Sequence, residues 1–168
     1  MLRALRVLYA FPLSDAELRE LALPLGADVP FCVTGGTALA EGIGEVLSPL
    51  PPLPPCRIVV VKPPFGSSTK AVYEALALSA LHPWEQPDIK LLQNALRGQN
   101  LTLLGASLQN ALERPATELK PELIDYKRFL TESGALGAAM SGSGAALYAL
   151  FPEEEQEKAE QCIAAGKR

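Results

Sequence analysis

The 168-residue chain is 48% hydrophobic and 20% charged, enough apolar mass for a buried core and the wrong composition for disorder. Its net charge is −4 and its basic residues are scattered, which leaves no electrostatic footprint for nucleic acid or an anionic membrane surface. Cys32, Cys56 and Cys162 are far apart and in no metal-ligand spacing, so the expectation is three reduced thiols in a cytoplasmic protein, with no metal site.

Met1 to Leu13 carry Arg3 and Arg6 among a short apolar run with no cleavage pattern after it, so no signal peptide is expected. Leu2 to Ala10 resemble the end of an amphipathic helix without a cap of its own. Ser14-Asp15-Ala16-Glu17 is a capping box with Leu13 and Leu18 as hydrophobic staple, which predicts a helix opening at Ser14. Leu18, Leu21 and Leu25 form its expected buried stripe, and Pro24 ends or kinks it near Leu23, because a proline inside a helix costs roughly 3 kcal/mol.

Asp28 then stands between two backbone restraints. Gly26 can adopt the left-handed helix end, and Pro30 disfavours the α conformation at Val29, predicting an extended exit. A carboxylate held this way suits a positioned base, although an ordinary helix-to-strand turn uses the same restraints. Thr37 to Ala40 and Val46 to Leu50 flank Glu41-Gly42-Ile43-Gly44-Glu45, the pattern of a hairpin. Five prolines among Pro49 to Pro55 predict a polyproline II connector of about 3 Å per residue, and residues 51–56 mark the domain boundary.

Arg57 to Val61 read as a buried strand. Lys62 to Gly66 lead to Ser67-Ser68-Thr69 and a helix from Lys70 to Leu81, whose start suits an anion or simply a cap. His82-Pro83-Trp84 read as a surface turn. Ile89 to Leu96 and Leu101 to Leu112 read as helices, the second capped by Asn100 with Leu101, Leu104, Leu108 and Leu112 on one face. Glu122 to Ser133 form another, closed by Gly134. The apolar stretch from Gly134 to Phe151 is broken by Ser141-Gly142-Ser143-Gly144, so it reads as two strands and a turn, not a membrane span. Pro152 opens a last helix, Glu153 to Ala164.

Leu25 to Phe31 followed by Gly35 to Glu45, Met140 to Gly144, Lys62 to Leu76 and Asn110 to Glu113 together resemble the GHMP kinase superfamily over nearly the whole chain. The resemblance implies an α+β fold: a helix and hairpin from the family's N-terminal domain in residues 1–50, then a C-terminal domain of antiparallel sheet backed by helices in 57–168. It implies a transferase of isoprenoid precursor biosynthesis that uses ATP and Mg²⁺ on a cytidyl diphosphate sugar alcohol. Asp28 would be the catalytic residue, Thr69 and Tyr73 would line the substrate, and Ser141, Gly142, Ser143 and Gly144 would lie near the phosphate loop. The family's Pro-x-x-x-Gly-Leu-Gly-Gly-Gly-Ser-Ser loop and partner lysine do not occur in this sequence, and Ala111 stands where the Asn-Asp-Leu-Glu segment has Asp. Two other readings stay open: a non-catalytic remnant that binds a partner or substrate fragment, and a family kinase for another alcohol. A second copy of the chain is a further candidate partner.

Overall fold

The computed structural model describes residues 1–78 and 86–166, and the chain divides into two compact units, Met1–Pro52 and Leu53–Arg168. His82-Pro83-Trp84 and the expected last turn of the Lys70 helix lie outside the described residues.

The first unit contains α1 (Leu2–Leu8), α2 (Asp15–Ala22), a 3-10 turn (Leu23–Leu25), α3 (Val29–Thr34) and the hairpin β1 (Thr37–Glu41) with β2 (Val46–Leu50). The capping box forms: the Glu17 N–H donates to Ser14 Oγ at 3.2 Å and the Ser14 N–H donates to Glu17 Oε2 at 2.8 Å. Leu13 packs against the small core of Leu18, Ala22 and Val33. Leu21 and Leu25 are 55% and 63% exposed, so the expected stripe is corrected. Burial follows Leu18 and Ala22, four residues apart on one helix face, and Pro24 converts the following turn to 3-10 geometry, which rotates Leu25 off that face.

Hydrogen bonding to Ser14 lowers the Glu17 pKa, and hydrogen bonding to Arg6 lowers that of Asp15. Both carboxyls bind protons more weakly folded than unfolded. Their contribution is therefore intact above the ordinary carboxylate range and fades as pH falls through the lowered values. Ser14→Ala is expected to destabilise α2 by about 1 kcal/mol and to remove the Glu17 part of this acid dependence while leaving the Asp15 part, read by hydrogen exchange of the Glu17 amide across pH.

The exit from Asp28 is also corrected. It is the first turn of α3, not extended chain, with Asp28 itself at φ −85° and ψ −10°. A proline in a first helical turn loses no hydrogen bond, because that N–H has no partner there. Burial of Pro30 and Val33 then outweighs the local bias at Val29. Gly26 has φ +153° and ψ +149°, a glycine conformation but an extended one rather than the left-handed helical form.

The second unit is built on β3 (Cys56–Val61), β5 (Leu147–Pro152) and β4 (Gly137–Met140), an antiparallel sheet in the order β3-β5-β4. Its helices are α4 (Thr69–Leu78), α5 (Ile89–Arg97), α6 (Leu101–Ala106), α7 (Glu113–Leu119), α8 (Glu122–Glu132) and α9 (Gln156–Gly166). Val59, Ala138, Met140, Leu147, Ala149 and Phe151 form one face of the sheet and share a core with Val72, Leu123, Leu130 and Cys162. The β3 strand is not buried throughout. Side chains alternate across a strand, so Val59 is 3% exposed while Ile58 and Val60 are 51% and 65% exposed.

Two helix boundaries differ from expectation. The Leu101 helix keeps its Asn100 cap, with the Leu103 N–H donating to Asn100 Oδ1 at 2.9 Å, but ends at Ala106. The apolar period runs on to Leu112, yet Ser107 Oγ donates back to the Leu103 carbonyl at 2.6 Å, and the chain then turns before α7, a helix the apolar period does not announce. The last helix begins at Gln156 because Pro152 is spent as the final residue of β5, opposite Cys56.

Candidate active site

Phe65 anchors the loop ahead of α4: its ring meets Tyr126 edge-on at 6.2 Å, and the Lys120 ammonium lies 5.7 Å above it. The loop thereby delivers Ser67 and Thr69 to the turn between β4 and β5. Ser67 Oγ donates to the Ser143 carbonyl at 2.7 Å, and the Thr69 and Ser143 hydroxyls share a hydrogen bond of 2.8 Å. Residues 74 positions apart in sequence thus form one cluster. Tyr73 lies one turn beyond Thr69 on the same helix face and is 54% exposed, while its neighbour Val72 fills the core at 1%. The turn itself closes through Ser141 N–H to the Ala146 carbonyl at 2.9 Å and Gly144 N–H to the Ser141 carbonyl at 3.0 Å. Gly142 and Gly144 have φ of +56° and +83°, angles that a side chain would strain.

Asn110 and Glu113 hold this turn from below. Asn110 Nδ2 donates to the carbonyls of Met140 and Gly142, 2.8 Å each, while its Oδ1 accepts the Leu112 N–H at 2.9 Å. Glu113 Oε1 accepts the Met140 N–H at 2.7 Å, and Oε2 pairs with Lys127. Burial, and after it the Glu113 charge, raise the pKa of Tyr148, keeping it a neutral phenol. The roles of Asn110, Glu113, Ser67 and Lys127 escape residue-level reading of the sequence. The Asn-x-x-Glu spacing is the one local signal they leave.

In the first unit Asp28 is exposed, and its side chain makes no hydrogen bond among the described residues. The hairpin backs onto it: a Cβ on Gly44, where φ is +117°, would lie 3.3 Å from Asp28 Oδ1, so glycine there leaves the carboxylate room. Glu45 folds over the hairpin tip, accepting the Ile43 N–H at 2.7 Å. The carboxylate sits at the start of α3, where helical N–H groups favour negative charge. Among the described residues no group of three His, Cys, Asp or Glu side chains converges to hold a metal, and no helix is long and apolar enough to cross a membrane.

Residues 86–167 match the family described as GHMP kinases C terminal. A 4-diphosphocytidyl-2-C-methyl-D-erythritol kinase of Carboxydothermus hydrogenoformans is 47% identical over 158 residues, a match covering 94% of this chain and 54% of the relative. A kinase of the same name from Exiguobacterium sibiricum is 42% identical over 155 residues, covering 92% and 53%. The crystal structure of a 4-(cytidine 5'-diphospho)-2C-methyl-D-erythritol kinase superposes with a TM-score of 0.77 at 35% identity, over 98% of this chain and 57% of that one. A homoserine kinase from Cytophaga hutchinsonii gives a TM-score of 0.79 at 22% identity, over 96% and 56%, a likeness of fold alone. Residues 86–167 are therefore a GHMP kinase C-terminal region, on an α+β fold of that superfamily. Over nearly all its length the chain is similar to 4-diphosphocytidyl-2-C-methyl-D-erythritol kinases in particular, and it spans about half the length of the curated relatives it matches.

Proposed function

We propose that this chain is the C-terminal portion of a kinase that transfers the γ-phosphoryl group of ATP to the 2-hydroxyl of 4-diphosphocytidyl-2-C-methyl-D-erythritol. The observation that carries the reading is 47% identity spread over 94% of the chain to a relative of that name. Residues 1–50 are then the end of the kinase's N-terminal domain, 51–56 the linker, and 57–168 its C-terminal domain.

Phosphoryl transfer asks for position and charge stabilisation more than covalent work by the protein. Asp28 orients the acceptor hydroxyl and takes its proton as the oxygen bonds to the γ-phosphorus. The bond to the bridging oxygen breaks and ADP leaves. Thr69 and Tyr73, on one exposed face of α4, line the substrate, with the Tyr73 ring against cytosine. Ser141 to Gly144 lie near the phosphate loop, and the Gly142 and Ser143 N–H groups of this turn face the phosphates. Mg²⁺, when bound, offsets phosphate charge. It is commonly held by one or two carboxylates, water and the phosphates themselves, and the exposed Asp28 carboxylate is the group of this chain's proposed machinery that would help to hold it.

The test is a fusion of this chain to the remaining part of the Carboxydothermus hydrogenoformans relative, incubated with ATP, Mg²⁺ and the cytidyl substrate. Phosphorus NMR should show one new phosphomonoester for each ADP released; no transfer would overturn the reading. Failure of cytidine nucleotides to compete would redirect it to another alcohol. The missing glycine-rich loop favours a second reading for the 168 residues alone, a non-catalytic piece. Clear micromolar ATP binding by the isolated chain in calorimetry would contradict that reading.

A further inference from the structure

The backbone of the Ser141–Gly144 turn is sorted by polarity, and side chains outside the turn do the sorting. The Met140 and Gly142 carbonyls accept from Asn110 Nδ2, the Ser143 carbonyl accepts from Ser67 Oγ, and the Ser141 carbonyl accepts the Gly144 N–H. The Met140 N–H is taken by Glu113 and the Ser141 N–H by the Ala146 carbonyl. What remains is the Gly144 carbonyl at the end of the turn and, within it, the pair of consecutive N–H groups of Gly142 and Ser143, none of which finds a protein partner among the described residues. A carbonyl facing an anion repels it and an N–H attracts it. Each carbonyl drawn back by Asn110 or Ser67 therefore makes the turn a better anion site.

We infer that Asn110 and Glu113 are positioning residues that fix the polarity of this turn, so that its free Gly142 and Ser143 N–H groups meet a phosphate. The inference rests on the phosphate-facing role given to the turn above. Asn110 does the larger share, because one amide group restrains two carbonyls two residues apart while its Oδ1 is itself fixed by the Leu112 N–H. Glu113 sets the end of β4 through the Met140 N–H. A bare carboxylate so near an anion site would oppose binding. Lys127, paired with its other oxygen, offsets that charge. None of the three needs to touch the ligand.

The experiment is a titration of the 168-residue chain with inorganic triphosphate, followed by amide NMR. The unaltered chain should bind weakly, with its largest shifts at Gly142 and Ser143. Asn110→Ala should reduce affinity roughly five- to tenfold, the effect of losing one or two hydrogen bonds, and displace the Gly142 and Gly144 resonances before ligand is added. Glu113→Ala should lose a similar factor. Glu113→Gln removes the same charge as Glu113→Ala and likewise releases Lys127, but it keeps an oxygen for the Met140 N–H and should bind several-fold more tightly than Glu113→Ala, a rescue that loss of charge alone would not show. Urea unfolding midpoints separate reduced binding from reduced folding. If Asn110→Ala does not fold, Ser67→Ala frees the Ser143 carbonyl and tests the same sorting. Normal shifts and affinity in every folded variant would overturn the positioning role and leave the kinase reading standing. No triphosphate response at Gly142 and Ser143 in the unaltered chain would remove the phosphate-facing role itself, and the inference with it.

Discussion

Gly137→Ala is expected to destabilise the second unit by about 3 kcal/mol or more, the upper end of what overpacking costs. A Cβ at Gly137 would sit on the Gly105 carbonyl, 2.5 Å from its carbon, and a Cβ at Gly105 would lie 2.8 Å from the Leu136 backbone. Two glycines thus bring α6 and β4 together backbone to backbone. No side chain can rotate to relieve the added methyl, so the helix has to lift away from the sheet. That movement would disturb Leu104, which is 4% exposed, and would shift the start of the segment leading to Asn110. Against a total stability of about 5–15 kcal/mol for an ordinary domain, such a loss leaves much of the chain unfolded under mild denaturant. A urea midpoint lowered by less than about 1 kcal/mol equivalent would mean that α6 does not rest on β4 in this way. Gly105→Ala strikes the same contact from the other side and should be similarly damaging. The double substitution should cost less than the sum, since the two changes strain one shared contact.

The elements legible in the sequence are those whose cause is local. Ser14 and Glu17 are three residues apart and satisfy each other's backbone, Gly134 closes α8 with φ of +91°, and Gly42 and Gly44 turn the hairpin. The misread elements depend on contacts made elsewhere. Val29 is helical because α3 buries Pro30 and Val33, a tertiary gain that the Val-Pro pair does not reveal. Leu108 and Leu112 continue an apolar period, but the chain around them is bent to bring Asn110 under the turn at Met140–Gly142, thirty residues later. The family resemblance sets Thr69 by the substrate and Ser143 by the phosphate loop, but the residues themselves give this candidate cluster only as separate parts. Thr69 and Ser143 read individually as a helix start and a hairpin turn, and the hydrogen bond that joins them comes only with the fold.

Asp28→Asn, made in the fused kinase, is expected to lower turnover by about 10²- to 10⁴-fold, the range associated with losing a positioned acid or base. The Michaelis constant for ATP should hardly change, because the substitution leaves shape and polarity nearly intact and removes only the charge and proton affinity. Folding should survive. The Asp28 side chain is exposed, makes no hydrogen bond among the described residues, and occupies a helix start where Asn serves about as well as Asp. The Asp28 carboxylate makes no capping hydrogen bond and has space beside Gly44, so apart from a small helix-dipole contribution its loss should cost little stability. An unchanged unfolding midpoint with turnover nearly abolished would mark Asp28 as the group that handles the acceptor proton. Turnover within about twofold of the unaltered fusion would remove it from that role, and a midpoint that falls with activity would mean the loss was structural. The decisive comparison is with Gly44→Ala, which keeps the carboxylate but crowds it and forces a side chain onto φ of +117°. If position matters as much as charge, that variant should also lose turnover, with the Asp28 carboxyl group still present. If charge alone matters, Gly44→Ala should stay active wherever it folds.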